Sequence, residues 1–287
     1  MINNTGIVKC IHRHTEKTHP RCFVNGVPIV RVYPMDMEIK PSKVLVLDIE
    51  TLPILTYTWG VWNQNIYPKQ VVKDWCVLSY AVKWLGDSRV ISDVLTSREA
   101  VMRDDQRLVT NLWKLLDEAD VVIAHNGKRF DMRKLNTRFW RANLHKPSSY
   151  KIIDTLTVAR SIFGLTYNKL DYIAKFIGAD EKLETDFSLW ARCDYGHKSA
   201  LQEMKTYNEQ DISTLEQVYL SMREWIPNHP DLGIYQNLEG VCPVCLSTNI
   251  KEIGLYTANK LQYKEHRCSK CYSTWHNTKA IGKENKE

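Results

Sequence analysis

The sequence predicts an α/β protein in which a mixed β-sheet is flanked by helices and followed by a small cysteine-rich module. Short runs of β-branched residues and leucine are typical of buried strands, and they alternate with segments in which leucines recur at helical spacing. A hairpin pattern precedes the first helix, which favours a sheet of mixed strand direction. Two Cys-x-x-Cys pairs near the C-terminus form the separate module.

The predicted elements follow in the order strand, hairpin, helix, strand and helix. Residues 43–50 (KVLVLDIE) have the composition of a strand buried on both faces. The later elements are a hairpin at 79–84 and 89–95, a helix at 97–119, a strand at 120–126, a helix at 128–144, a short strand at 151–156 and mostly helix to about 226.

Length and composition limit the class of protein. The 287 residues, 44% hydrophobic and 25% charged, are typical of a globular protein with one α/β core and a smaller appendage. No run approaches the roughly eighteen apolar residues of a membrane span, and the N-terminal residues lack the charged-then-apolar order of a secretory signal. These features predict a cytoplasmic protein with no membrane partner.

Composition changes divide the chain into four predicted parts. Residues 1–43 form a basic, His-rich N-terminal arm, 44–226 the α/β domain, 227–240 a linker, and 241–287 the cysteine module with a basic tail. The net charge is +4 in the arm, −2 over residues 44–241 and +4 over residues 242–287. Basic ends around an acidic middle suit a polyanionic partner, although charged ends that only maintain solubility explain the pattern equally well.

Acidic residues in three places form a candidate metal site. Asp48 and Glu50 lie two residues apart near the end of the first strand, so strand alternation points both side chains to one face. Asp131 follows the fourth strand, and Tyr207 and Asp211 lie four residues apart on one face of a helix. Converging carboxylates repel one another unless cations neutralise them, and oxygen ligands favour Mg²⁺ or Mn²⁺.

The segments Asp48–Thr51, Asn126–Asp131 and Tyr207–Asp211 resemble the three exonuclease motifs of the DEDD superfamily, which has a ribonuclease H-like fold. The resemblance covers roughly residues 43–225. It is strongest to the proofreading exonuclease domain of family B DNA polymerases, here in a stand-alone form similar to exonucleases that bacteriophages encode. The third motif is of the tyrosine type, because Thr206 occupies the position at which the other type has histidine.

The resemblance implies a site for two Mg²⁺ or Mn²⁺ ions. Asp48 would bridge both ions, and Glu50 and Asp211 would complete the tighter site. Asp131 would hold the second ion largely through water. Tyr207 would orient the attacking water, with packing of its ring against the sheet as the alternative. The candidate contacts to the substrate are Thr51, Leu52, Asn126 and Lys128.

Other residues near the motifs have competing interpretations. Asn126 could fix the strand end, and Lys128 could be a solvated helix charge. Asp154 is interpreted as a helix cap and His125 as a structural histidine. A cluster of aromatic residues after the first strand could form a platform on which bases stack, but packing of a hydrophobic loop in the core is the favoured interpretation. These residues are Tyr57, Trp59, Trp62 and Tyr67.

The predicted function is a 3′-to-5′ exonuclease that releases nucleoside 5′-monophosphates from single-stranded DNA or frayed 3′ ends. Because no selector for a 2′-hydroxyl is visible in the sequence, an RNA-trimming 3′-to-5′ exoribonuclease is the alternative enzyme. A non-catalytic nucleic-acid-binding replication adaptor is the alternative from another class, which the four carboxylates argue against. The predicted partners are single-stranded DNA or RNA, with a replication polymerase or another replisome protein as a further candidate.

The cysteine module predicts one structural Zn²⁺. Four thiolates complete a tetrahedral site with no open position, as in a zinc ribbon. Its four ligands would be Cys242, Cys245, Cys268 and Cys271. The basic residues of the ribbon favour a clamp on nucleic acid, with packing on the α/β domain or a protein contact as the alternative. The arm could hold a second zinc or carry only surface residues at Cys10, His12, His14, His19 and Cys22.

Overall fold

The protein is described by a computed structural model that covers residues 23–24, 27–28, 42–179, 185–259 and 261–283. The chain divides into two compact units, Met1–Lys40 and Pro41–Glu287. The described residues of the first unit form two short antiparallel strands, β1 (Phe23–Val24) and β2 (Val27–Pro28). The cysteines and histidines that were candidate zinc ligands in the arm lie outside the described residues.

A five-stranded sheet forms the centre of the second unit. In spatial order its strands are β7 (Val90–Val94), β6 (Cys76–Trp84), β3 (Val44–Leu52), β8 (Val121–Ala124) and β9 (Lys151–Asp154). β3 pairs antiparallel with β6 and parallel with β8, so the sheet is mixed, as the sequence predicts. Because β3 is buried on both faces of the sheet, it is apolar along most of its length.

Helices cover both faces of this sheet. They are α1 (Ser97–Met102), α2 (Gln106–Glu118), α3 (Asp131–Arg141), α4 (Thr155–Ile162), α5 (Leu170–Phe176), α6 (Phe187–Asp194) and α7 (Lys198–Met222). Leu45, Leu47 and Ile49 of β3 pack in one core cluster with α1, α2, α3 and α6. Val44 and Val46 pack in the other with α4, α5 and α7. Alternation along β3 therefore supplies two hydrophobic layers.

The helix predicted over residues 97–119 is two helices in the structure. α1 ends at Met102, the next residue Arg103 has a left-handed φ of 56°, and α2 begins after Asp105. The buried Asp105 carboxylate accepts the Val77 N–H at 2.8 Å and pairs with the buried Arg138 guanidinium of α3. The prediction of a single helix was wrong. The spacing of the leucines in α2 does not indicate that Asp105, just before this helix, forms an ion pair with the distant Arg138.

Two smaller β structures flank the main sheet. A hairpin of β4 (Leu55–Thr56) and β5 (Val71–Lys73) follows β3 directly. The C-terminal ribbon contains β10 (Ile250–Ala258), β11 (Leu261–Cys268), β12 (Thr274–His276) and β13 (Gly282–Lys283). Before it, the segment predicted as a linker contains α8 (Leu232–Tyr235), whose Leu232 is buried in the second core cluster. None of the helices in the described ranges is long and apolar enough to cross a membrane.

Asp105→Ala should destabilise the protein strongly. The change leaves the Arg138 guanidinium and the Val77 N–H buried without this partner, and removing one member of a buried ion pair typically costs about 3–5 kcal/mol. Urea unfolding followed by tryptophan fluorescence measures the free energy of unfolding. Glu118→Ala, which removes the exposed partner of Lys43, is the control and should cost at most about 1 kcal/mol. Equal losses in the two variants would contradict this view of Asp105.

Candidate metal-dependent active site

Three carboxylates converge beside the central strand. Asp48 and Glu50 lie on β3, on the same face as Val46 and therefore on the face against which α7 packs. Asp211 of α7 reaches both of them. One oxygen of each of the three carboxylates lies within 4.8 Å of the others. The structure thus brings together three of the four acids that the sequence analysis proposes as metal ligands.

Asn208 holds Asp48 in place. Its buried side chain donates from Nδ2 to Asp48 Oδ2 at 2.6 Å, and its Oδ1 accepts a hydrogen bond from the Ser79 hydroxyl at 3.1 Å. Sequence patterns did not identify Asn208 as a functional residue. The available signal was its position three residues before Asp211, which places both side chains on neighbouring positions of one helix face.

Asp131 is tied to the same strand but is not part of the three-carboxylate group. It is the first residue of α3, and its buried Oδ1 accepts the Ile49 N–H at 3.2 Å. Burial raises the pKa of Asp131 from 3.8 to about 7, although the N–H groups of Asp131 and Ile49 stabilise the carboxylate, and the nearby charge of Asp154 raises the pKa further. A cation near this carboxylate would favour its ionised form.

Asp154 holds the turn that follows β8. Its two carboxylate oxygens accept the N–H groups of Asn126 at 3.0 Å and Lys128 at 3.1 Å, and the same side chain caps α4. The predicted helix cap is confirmed. Within the turn, Asn126 has a left-handed φ of 65°, and a Cβ at Gly127 would come within 2.4 Å of the Ala124 Cβ. The turn therefore depends on small or flexible residues at these two positions.

The predicted substrate contacts differ in accessibility. Asn126 lines the cleft that contains the carboxylates. Leu52 has no exposed surface and lies in the core, so it is not accessible to a nucleotide in this structure. Thr51 is partly exposed and Lys128 is exposed, but neither is among the described residues that line the cleft.

The cleft is open and has a volume of about 1100 Å³. Besides the three carboxylates, it is lined by basic residues that the motifs did not include: Arg160, Lys169 and Lys175. Tyr207 also lines it, with its ring edge-on to Trp190 at 6.1 Å between centroids. Cations in a cleft with clustered carboxylates suit a phosphodiester, because the carboxylates can hold metal ions while the cations meet phosphate oxygens.

His125 also lines the cleft, but both of its ring nitrogens make contacts within the protein. Nδ1 lies 2.9 Å from Thr155 Oγ1, and Nε2 lies 3.0 Å from the Asn168 carbonyl oxygen. These contacts join the end of β8 to the start of α4 and to the segment before α5. The interpretation of His125 as a structural histidine is confirmed.

The four ribbon cysteines form a second cluster, in which the sulfurs lie within 4.8 Å of one another. The Cys242 and Cys271 sulfurs are 3.5 Å apart, and those of Cys245 and Cys268 are 3.6 Å apart. Burial raises the pKa of the Cys242 thiol and that of the Cys245 thiol, the latter to about 11. Burial also opposes ionisation of Cys268, but the N–H groups of Cys271 and Lys270 lower the pKa of its thiol to about 7. Four sulfur donors with N–H groups that stabilise a thiolate fit a structural zinc ion.

Comparison with known proteins agrees with this architecture. The RNase H superfamily model matches residues 81–223. With the mixed sheet and its two helical layers, the match shows that this domain belongs to the RNase H superfamily, and together with the acidic cluster it supports a nuclease. The C-terminal cysteine cluster is consistent with a zinc ribbon.

Among solved structures, the family B DNA polymerase from the hyperthermophilic archaeon Pyrobaculum calidifontis is similar to this chain. The sequence identity is 16% and the TM-score is 0.44. The alignment covers 75% of this chain and 28% of the polymerase, so the chain spans less than a third of that protein. A search of curated proteins found no match to the sequence.

Asp131 should make the magnesium-free protein less stable as pH rises. Its pKa is 3.8 when exposed and about 7 in the folded protein, so between these values the folded state keeps a proton that the unfolded state has released. The contribution of Asp131 to stability should therefore fall from about pH 4 to about pH 7 and then level off. Asp131→Asn should melt at a higher temperature than the wild type at pH 8 and at a similar temperature at pH 4. A melting-point difference that does not vary with pH would contradict the burial argument.

Cys245→Ser should remove the zinc of the ribbon. Loss of one of four thiolates opens the tetrahedral site, so the ribbon should become sensitive to proteolysis after about residue 240. Elemental analysis of the wild type should find one zinc per chain if the arm is empty and two if the arm also binds zinc, and the variant should contain about one fewer. Cys193→Ser, a buried cysteine of α6 outside the ribbon, is the control and should retain zinc. Retention of full zinc by Cys245→Ser would exclude the four-cysteine site.

Proposed function

We propose that this protein is a two-metal-ion 3′-to-5′ exonuclease of the DEDD tyrosine type, which releases nucleoside 5′-monophosphates from single-stranded DNA or frayed 3′ ends. The observation that carries the proposal is the convergence of Asp48, Glu50 and Asp211 in a cleft that basic side chains also line. The RNase H superfamily match over residues 81–223 supports a reaction at a nucleic-acid phosphodiester.

The acidic residues supply the donor set for divalent cations. Asp48, Glu50 and Asp211 would hold one ion, and Asp48 and Asp131 would hold the second. Oxygen donors favour Mg²⁺ or Mn²⁺, and three carboxylates within 4.8 Å of one another repel unless cations neutralise them. Two such ions supply an ionised water and stabilise negative charge on the leaving 3′ oxygen.

The remaining residues position the substrate and the water. Tyr207 lies four residues before Asp211 on the same helix, and its hydroxyl would orient the attacking water by a hydrogen bond. The basic residues of the cleft would bind backbone phosphates, and the Asn126 side chain would contact the terminal nucleotide. Water attacks phosphorus and the P–O3′ bond breaks, so the shortened strand keeps a 3′-hydroxyl and the nucleotide leaves with its 5′-phosphate.

Incubation with Mg²⁺ and a 5′-labelled single-stranded DNA should give successively shorter labelled products. Asp211→Asn keeps the size of the side chain but removes a negatively charged ligand. Its turnover should fall by more than about 100-fold, the upper range for residues that only support metal ligands. Circular dichroism should show that the variant remains folded. Wild-type turnover in Asp211→Asn would rule out the carboxylate site.

Tyr207→Phe, compared with Asp211→Asn in the same assay, tests the role of the Tyr207 hydroxyl. It keeps the ring packing against Trp190 and the carboxylates, and it removes only the hydroxyl. One hydrogen bond near a charged centre accounts for about a 10- to 100-fold loss in turnover, with little change in substrate affinity.

The wild type in the same assay separates the alternative functions. If it binds DNA and RNA without shortening them, the adaptor is supported, and if it shortens RNA faster than DNA, the exoribonuclease is supported.

A further inference from the structure

The hairpin that follows β3 exposes a group of aromatic rings. We call residues 54–73 the aromatic hairpin. Its rings are Tyr57, Trp59, Trp62 and Tyr67, and the exposed fractions are 77%, 100%, 84% and 68%. The interpretation that this loop packs in the core is therefore wrong. Rings of this size are rarely left in water, because their burial is a main source of stability, so an exposed group of them indicates a binding surface.

Hydrogen bonds around Gln70 define the shape of the hairpin. The Gln70 carbonyl accepts the Tyr57 N–H at 3.1 Å, and its side-chain Nε2 donates to the Tyr57 carbonyl at 3.0 Å. Its Oε1 accepts the Tyr67 N–H at 2.8 Å. A single side chain thus connects both sides of the loop that presents the rings.

Arg103 anchors the base of the hairpin to the helical layer. Its guanidinium donates to the carbonyl of Pro53 at 2.7 Å and to that of Asp74 at 3.1 Å, which lie on either side of the hairpin. The same group pairs with Asp194 of α6 at 2.6 Å. Because both ends are clamped to the domain, the rings are presented from a preorganised position, which lowers the entropic cost of binding.

The charge of the hairpin favours a nucleic acid as the occupant. Residues 53–73 contain Lys69 and Lys73 and no aspartate or glutamate. Aromatic rings with positive charge form the usual platform for single strands, since every base has a face that can stack. The exposed Val61 would also suit a protein partner. A contact through aliphatic side chains, however, does not explain why the hairpin lacks carboxylates, whereas a negatively charged nucleic acid does.

The hairpin begins four residues after Glu50 of the carboxylate group. Trp59 follows Glu50 by nine residues, so their Cα atoms lie at most about 30 Å apart. Resting on the proposed function, we infer that the aromatic hairpin stacks on bases of the single strand upstream of the nucleotide being removed. It would hold the strand while its 3′ end lies in the cleft.

Removal of the two most exposed rings tests this inference. In the full-length protein without divalent metal, Trp59→Ala/Trp62→Ala should bind oligothymidylate about 10- to 100-fold more weakly than the wild type by fluorescence anisotropy. Trp59→Phe/Trp62→Phe should recover most of the affinity because stacking is retained. Trp140→Ala, which removes an exposed ring from α3, is the matched control and should bind as the wild type does.

A substrate without an upstream strand separates this inference from the proposed function. The p-nitrophenyl ester of thymidine 5′-monophosphate needs only the metal site, so the wild type and the double alanine variant should hydrolyse it equally with Mg²⁺. If the wild type cleaves neither the ester nor DNA, the proposed function is rejected. Wild-type DNA affinity in the double alanine variant would reject the stacking role. If that variant also loses self-association seen by sedimentation, the hairpin is a contact between copies.

Discussion

The central strand β3 must be buried on both faces of the sheet and must also present two carboxylates, and the rest of the site depends on how it meets both requirements. Its buried residues pack on both faces of the sheet, yet Asp48 and Glu50 share a face with Val44 and Val46. A carboxylate buried among apolar groups would be costly. The carboxylates avoid this cost because the layer over that face opens into the cleft, where water and cations can reach them.

Acidic side chains around β3 act differently because their surroundings differ. Asp211 belongs to the carboxylate group, Asp154 accepts N–H groups of a turn and a helix, and Asp105 pairs with the buried Arg138. Asp131 is the intermediate case, since burial raises its pKa towards neutrality while backbone N–H groups stabilise its charge. The environment of each group, rather than its residue type, decides whether it can bind a cation or only stabilises the fold.

Helix α7 connects the candidate active site with the ribbon. Asp211 reaches the carboxylate group, and Tyr219, eight residues later, lies about 12 Å along the same helix. The buried Tyr219 hydroxyl lies 2.9 Å from His229 Nε2, and the following segment continues into α8, where the Leu232 N–H donates to the Pro243 carbonyl at 2.8 Å. The segment that carries the cysteine cluster is therefore packed next to the domain, where a metal bound by the cysteines would also stabilise the end of α7.

Most strands and helices of the sheet, the shared face of Asp48 and Glu50, and the spacing of the cysteine knuckles could be predicted from the sequence alone. These features are local, because the periods of strands and helices relate residues a few positions apart. The contact between Asn208 and Asp48, which joins residues 160 positions apart, was decided by the packing of α7 on β3. The break before α2 and the exposure of Trp59 were likewise decided by tertiary contacts. Whether an ion pair forms or a ring stays exposed depends on which residues from distant parts of the chain lie nearby, and the local sequence pattern does not specify those residues.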